Sequence, residues 1–182
     1  MIGWLKNRIK DVALTTLLLS LLITSCAKQE FNSLLFTQEQ QIESYVADFE
    51  SSLVTVNGGV WRITIEQETG AVVAAEGDSV YFDYIAHLFS FGKGKVFDTS
   101  LSQVGEEAGL GHDANYYVPL GIKMGDRSLI EGLNRGLEGV AEGGNYYILF
   151  SARHGFGNVQ TAIVPKASPL IFEVWIRKVK KS

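Results

Sequence analysis

Along the second half of the chain, hydrophobic and polar residues alternate with a period of two. Trp61, Ile63 and Ile65 alternate with Arg62, Thr64 and Glu66, the pattern of a half-buried strand. Ala71 to Ala75 is a second, weaker strand candidate. Gly77-Asp78 marks a turn, after which Val80, Phe82, Tyr84, Ala86 and Leu88 share one face of a longer strand. Gly92 to Lys95 turns the chain, and Val96-Phe97 begins a short return. Tyr146 to Ser151 reads as another strand. In the last stretch, Leu170 to Val179, residues Leu170, Phe172, Val174 and Ile176 face one way.

Helical spacing breaks this alternation twice. Thr37-Gln38-Glu39-Gln40 matches a capping box, and Ile42, Tyr45, Val46 and Phe49 follow on one stripe, predicting a short helix. Asn57-Gly58-Gly59 ends that region. Ser128-Leu129-Ile130-Glu131 is a second capping box, opening a short helix that buries Leu129, Ile130, Leu133 and Leu137. Gly132 and Gly136 inside it each cost about 1 kcal/mol relative to alanine, so another backbone or a ligand is expected close by. Residues 99–115 are polar and glycine-containing, a loop with a function or a flexible insertion. Several strands, one short helix and two further strands predict an α+β fold, an antiparallel sheet wrapped on one helix.

The amino terminus has a different character. Lys6, Arg8 and Lys10 precede an apolar run from Val12 to Ile23. That run is shorter than the roughly 20 apolar residues a membrane span needs, but it fits a secretory signal. Ile23-Thr24-Ser25-Cys26 resembles a bacterial lipoprotein lipobox, which implies cleavage before Cys26 and lipidation of that residue. An uncleaved signal anchor, or an ordinary signal with an incidental cysteine, is the competing reading. The expected organisation is a lipoprotein signal peptide over 1–25, a lipidated tether and short helix over 26–57, and a folded domain over 58–182. Within the second part, 27–36 is the tether proper. The expected location is the cell envelope, lipid-anchored to the outer membrane on its periplasmic side. Cleavage would also make the remaining chain more acidic, leaving the lipid rather than a basic patch to hold the membrane.

Composition narrows the function. With 182 residues, 46% of them hydrophobic, the chain can bury one domain's core. A net charge of −4 argues against a protein built to coat nucleic acid. The single cysteine excludes an intramolecular disulfide framework and any multi-cysteine metal site. His87, His112 and His154 are too scattered for a paired metal motif. Gly92-Lys93-Gly94-Lys95 lacks the spacing of a phosphate loop, and no G-x-S-x-G elbow occurs. His154 reads as a loop histidine, and the basic end Arg177 to Lys181 as a solvated terminus. Acid–base and metal-dependent hydrolysis have little support, and no cofactor is called for.

What the sequence does offer is a density of aromatic and aliphatic residues beside single polar groups. Gly77-Asp78-Ser79-Val80-Tyr81-Phe82-Asp83-Tyr84 and Val96-Phe97-Asp98-Thr99-Ser100 resemble the opening of an FKBP-type peptidyl-prolyl isomerase domain. Val118-Pro119-Leu120-Gly121, Leu129 to Leu133 with Gly136-Leu137, Gly155-Phe156-Gly157, Val164-Pro165 and Ser168 to Val174 continue that resemblance in order, across roughly residues 77–180. The lipobox and N-terminal helix are also similar to isomerase-like lipoproteins associated with gliding motility in Bacteroidota. The resemblance implies an FKBP-like half-barrel sheet around one short helix, with an added N-terminal helix.

It also implies a proline pocket. Tyr84, Phe97, Asp98, Phe156 and Phe172 would be its catalytic residues, and Tyr116, Leu129, Ile130, Leu133 and Val164 would bind substrate. Phe97, Leu133 and Phe172 would form floor and walls, Tyr84 and Asp98 a polar edge, and the Ile130 N–H a donor to a substrate carbonyl. Taken singly, each aromatic also fits plain core packing. No cofactor or metal is implied. Leu133 departs from the family's usual tryptophan, Phe156 from its tyrosine and Lys166 from the second proline of a pair. No arginine lies between Asp98 and Tyr116 to brace the aspartate. The implied activity is isomerisation of proline-containing polypeptide clients, assisting exported proteins at the envelope, with activity reduced by these changes. The alternatives are a non-catalytic chaperone of the same fold, and a structural lipoprotein of an envelope or gliding-motility assembly whose 99–115 loop fills the pocket.

Overall fold

The computed structural model describes residues 28–126 and 128–182. The expected signal peptide and Cys26 lie outside the described residues. The chain forms two compact units, 1–36 and 37–182.

Residues 28–36, the described part of the first unit, are helical rather than a tether. Helical residues run unbroken to 46, so Thr37 opens no helix and its capping box is not used. A capping side chain needs orphan N–H groups to bond, and these exist only at a helix start. In the second unit, α1 (residues 37–46) buries Ile42 and Val46. The chain then turns at 47–49 and passes through a short 3-10 segment, Ser51–Leu53.

Seven strands form one sheet: β1 (Val54–Asn57), β2 (Val60–Glu66), β3 (Ser79–Phe89), β4 (Lys93–Thr99), β5 (Leu120–Lys123), β6 (Asn145–Phe150) and β7 (Leu170–Lys180). Their order is β1-β2-β6-β7-β3-β4, with β5 added beside the first half of β3, and all pairings are antiparallel. Two further helices are short: α2 (Ser102–Glu107) and α3 (Glu131–Gly136).

The period-two reading holds for β3 and β7 and for Trp61 and Ile63 of β2, but Ile65 is exposed where the register shifts between Thr64 and Glu66; the strand expected at 146–151 is β6. Val80, Phe82, Ala86, Leu170, Phe172, Val174 and Ile176 all enter one core cluster beneath α3, with Tyr84 and Leu88 packed against it. The opposite face carries a second cluster of Trp61, Ile63, Phe89, Leu149 and Ile171, covered by Ile42 and Val46 of α1. Both faces are therefore buried, and α1 is part of the domain's packing. The expected boundary at 58 falls in the turn between β1 and β2, where Gly58 and Gly59 have φ of +55° and +85°.

Some elements differ from expectation. Ala71 to Ala75 makes only an isolated bridge, Val73 with Ala141. Gly92 to Lys95 is not all turn: β4 already begins at Lys93. The 99–115 segment contains α2. The Ser128 box is also unused. Ile130 is the residue preceding α3, with no side-chain cap, and Glu131 is the first helical residue. The Glu131 carboxylate instead accepts hydrogen bonds from Arg135 Nε and Nη2 and faces the His154 ring. What crowds Gly132 and Gly136 is side chains rather than another backbone. A Cβ on Gly132 would lie 2.4 Å from the Phe150 ring, and one on Gly136 would lie 2.2 Å from Ile148 Cγ2. The two glycines let α3 lie flat on β6, and the resulting contact offsets their cost in helix propensity.

Candidate active site

The site is built where β3 and β4 separate. Ala86 pairs with Asp98 and His87 with Val96, so Phe97 is an extra residue in β4, a β-bulge. In a regular strand Phe97 and Asp98 would point to opposite faces. The bulge turns both toward the concave face: Phe97 is buried in the cluster under α3, and Asp98 accepts a hydrogen bond from Tyr84, which packs against that cluster.

The residues after Asp98 fasten this arrangement. Thr99 Oγ1 donates to the Tyr84 carbonyl at 2.7 Å, and Ser100 N–H donates to the same oxygen at 3.1 Å. Ser100 Oγ accepts from the Tyr84 N–H and donates to Asp83 Oδ1. Asp83, on the other face, is paired with Arg177 at 2.6 Å. These links hold Tyr84 and Asp98 in fixed relation. Sequence reasoning passed over Asp83, Thr99 and Ser100, although the polar run Asp98-Thr99-Ser100 was visible at the end of a strand.

The Tyr84 hydroxyl donates to Asp98 Oδ2 at 3.0 Å, and the Tyr116 hydroxyl donates to Oδ1 at 2.8 Å. The Thr99 N–H also reaches Oδ1, at 2.8 Å. Burial, with the nearby Asp98 charge, pushes the Tyr84 phenol well above the ordinary tyrosine range, so it remains a donor. Phe172 is the hub of the apolar part. Phe97 meets it edge-on with ring centres 6.1 Å apart, Tyr84 lies 6.3 Å away, and Phe150 stacks behind it at 5.8 Å. Aromatic contacts of this kind contribute about 0.5–1.5 kcal/mol each beyond area burial, which fixes ring orientation.

The remaining candidates gather around this hub. Leu133 and Val164 are buried in the same cluster, and Leu129, Ile130 and Phe156 pack on it half-buried. Tyr116 is joined through Asp98. Phe156 and Val164 belong to the long segment between β6 and β7, whose two ends are held by one buried side chain. Gln38 of α1 accepts from the Ala152 N–H at 3.0 Å and donates to the Ala167 carbonyl at 2.7 Å. Glu39 beside it accepts from Ser151 Oγ and Arg153 Nε. From the sequence alone, Gln38 reads as an ordinary surface residue of an amphipathic helix, so this contact is not foreseen. Among the described residues no group of three or more His, Cys, Asp or Glu is placed to hold a metal ion. The arrangement is a packed apolar cluster with one carboxylate held at its edge.

Comparisons with known proteins bear on the family and the fold. Residues 70–177 match the model of the FKBP-type peptidyl-prolyl cis-trans isomerase family. Over 82 residues the chain is 32% identical to the short-type peptidyl-prolyl cis-trans isomerase of Methanocaldococcus jannaschii, covering 45% of this chain and 50% of that protein. The chain therefore spans about half the length of this curated relative. Among solved structures, the crystal structure of FkpA from Escherichia coli superposes with a TM-score of 0.57 at 20% identity, over 93% of this chain and 71% of the other. That likeness speaks to the fold. Because the family match spans more than half of the chain, from before β3 into β7, the chain belongs to the FKBP-type peptidyl-prolyl cis-trans isomerase family.

Proposed function

We propose that this protein is a peptidyl-prolyl cis-trans isomerase that acts on proline-containing segments of exported polypeptides, while a lipid on Cys26 holds it at the cell envelope. The observation that carries the reading is the fixed Tyr84–Asp98 pair at the edge of the Phe97–Phe172 cluster, inside the family match.

The physical case follows from the peptide bond. Its rotation barrier of about 18–20 kcal/mol reflects resonance that makes the C–N bond partly double. For bonds preceding proline this gives isomerisation times of tens to hundreds of seconds. Twisting the amide removes the resonance and the charge separation that accompanies it. An apolar pocket excludes the water that stabilises the planar, more polar form, and thereby favours the twisted one. Each 1.36 kcal/mol of such differential binding gives a tenfold acceleration.

Phe97, Leu133 and Phe172 supply the floor and walls for the prolyl ring, with Val164 and Phe156 from the β6–β7 segment closing one side. The Ile130 N–H donates to a substrate carbonyl, and Leu129 and Tyr116 line the entrance. Tyr84 and Asp98 face the rotating amide. No bond to the protein is made or broken, so neither nucleophile nor cofactor takes part.

A second reading, a chaperone or envelope structural lipoprotein of the same fold, draws on Phe156, which brings no hydroxyl to the pocket. Refolding of a protein limited by a slow prolyl step separates the two. An isomerase shortens the slow phase at substoichiometric amounts. A chaperone alone raises the refolding yield without changing that phase.

A further inference from the structure

Between Asp98 and Tyr116 the chain carries no lysine or arginine, so no cation in this stretch can steady the carboxylate. The structure fills that role with a phenol. Tyr116 donates to Asp98 Oδ1 at 2.8 Å, opposite the Tyr84 bond to Oδ2, so each carboxylate oxygen receives one tyrosine hydroxyl.

Tyr116 itself is held from three directions. Its backbone closes a turn, donating to the Asp113 carbonyl at 3.1 Å, while the Asp113 side chain accepts from the Asn115 N–H. The His112 ring stacks on the Tyr116 ring with centres 3.8 Å apart and 18° between planes. Tyr117 stands edge-on to both, at 5.7 Å from Tyr116 and 6.1 Å from His112. Tyr117 in turn rests on α2 at Gly105, where a Cβ would fall 2.3 Å from its ring. The segment from α2 to Tyr117 is thus a strut of stacked rings that ends on the Asp98 carboxylate. An exposed tyrosine on an unsupported loop would spread over many rotamers, and holding it costs side-chain entropy. The stack lowers that cost before substrate arrives.

We propose that Tyr116 is a positioning residue for Asp98, and that the 101–117 segment serves to hold it rather than to fill the pocket. The proposal rests on the isomerase reading above and assigns Tyr116 a task distinct from substrate contact. In agreement with the geometry, partial burial raises the Tyr116 phenol above its ordinary range, and the bond to Asp98 raises it further.

The test measures, by exchange NMR on a proline-containing peptide, the cis/trans exchange rate and the peptide affinity separately. Tyr116→Phe keeps the ring and removes the bond. The expected result is a five- to tenfold slower exchange, roughly the size of one net hydrogen bond, with affinity within about twofold of wild type. His112→Ala is expected to slow exchange, and His112→Phe, which keeps a stacking ring, to restore it. An absorbance titration reads the bond without turnover: the Tyr116 phenol, isolated as wild type minus Tyr116→Phe, should ionise at lower pH once Asp98→Asn removes the charge. Unchanged exchange in Tyr116→Phe, or loss of affinity at an unchanged rate, overturns the positioning role alone. A folded wild-type protein without acceleration overturns the isomerase reading, and the positioning role with it.

Discussion

Phe97 and Asp98 are neighbours in sequence, yet both serve the same face of the sheet, because the bulge in β4 sets Ala86 opposite Asp98 and His87 opposite Val96. The ring goes into the core, while the carboxylate stays at its edge within 3.0 Å of the Tyr84 hydroxyl. One irregularity in pairing thus sets an apolar wall beside a fixed negative charge.

If that pair works as a unit, its two halves are not additive. Tyr84→Phe and Asp98→Asn are each expected to slow isomerisation several-fold, and the double variant to be little slower than the worse single one. A coupling of about 1–2 kcal/mol is the expected size for neighbours sharing one hydrogen bond. A double-mutant cycle on the exchange rate checks this, and strict additivity would contradict it.

Phe156 packs half-buried against the core cluster without a hydroxyl. Phe156→Tyr adds a donor that can meet a substrate carbonyl. Isomerisation should rise about two- to tenfold, the range of one net hydrogen bond of about 0.5–1.5 kcal/mol. Exchange rates of the two proteins on the same peptide give the answer.

On helix propensity alone, Gly136→Ala would stabilise the protein by about 1 kcal/mol. The position of Ile148 Cγ2, 2.2 Å from where the new Cβ would stand, reverses the sign. A loss of roughly 1–3 kcal/mol is expected from overpacking. Urea unfolding of the variant against wild type measures it.

Behind Phe172, on the opposite face, Glu173 receives Lys93 at 3.0 Å and faces the His87 ring at 2.9 Å. Burial pushes its carboxyl up, but the His87 and Lys93 contacts outweigh this and hold it below the usual glutamate range. A carboxyl lowered by folding stabilises the folded state above its unfolded value, near pH 4.3, and loses that contribution as pH falls through its folded value. Glu173→Gln should therefore cost roughly 1–3 kcal/mol at pH 7. The gap to wild type should narrow as pH falls below about 4, which denaturation at pH 7 and pH 3 would show.

The strands β3 and β7 were legible because Val80 to Leu88 and Leu170 to Ile176 set their apolar residues at alternate positions toward the cluster under α3, even though the other face is partly buried as well. Helix starts were not. Thr37 and Ser128 carry the right side chains for caps, but the backbone groups a cap would satisfy are elsewhere. The short strands β1 and β5 escaped because four residues are too few for a period to appear. The family pattern singled out Tyr84, Phe97, Asp98 and Phe172, and the structure brings these four together. Long-range contacts such as Gln38 to Ala167, 129 residues apart, leave no local trace. The bulge at Phe97 was equally silent, since one extra residue in a strand changes pairing but not composition.

The proposed activity rests on the cluster of Phe97, Phe172, Tyr84 and Asp98 accelerating rotation about prolyl bonds. Protease-free measurement of cis/trans exchange in a short peptide, with the purified chain and its Phe97→Ala and Asp98→Ala variants, tests it most directly. The wild type is expected to accelerate exchange at catalytic amounts, and each folded variant to lose about tenfold or more of that acceleration. Acceleration that both variants retain, or none from a folded wild type, would contradict it.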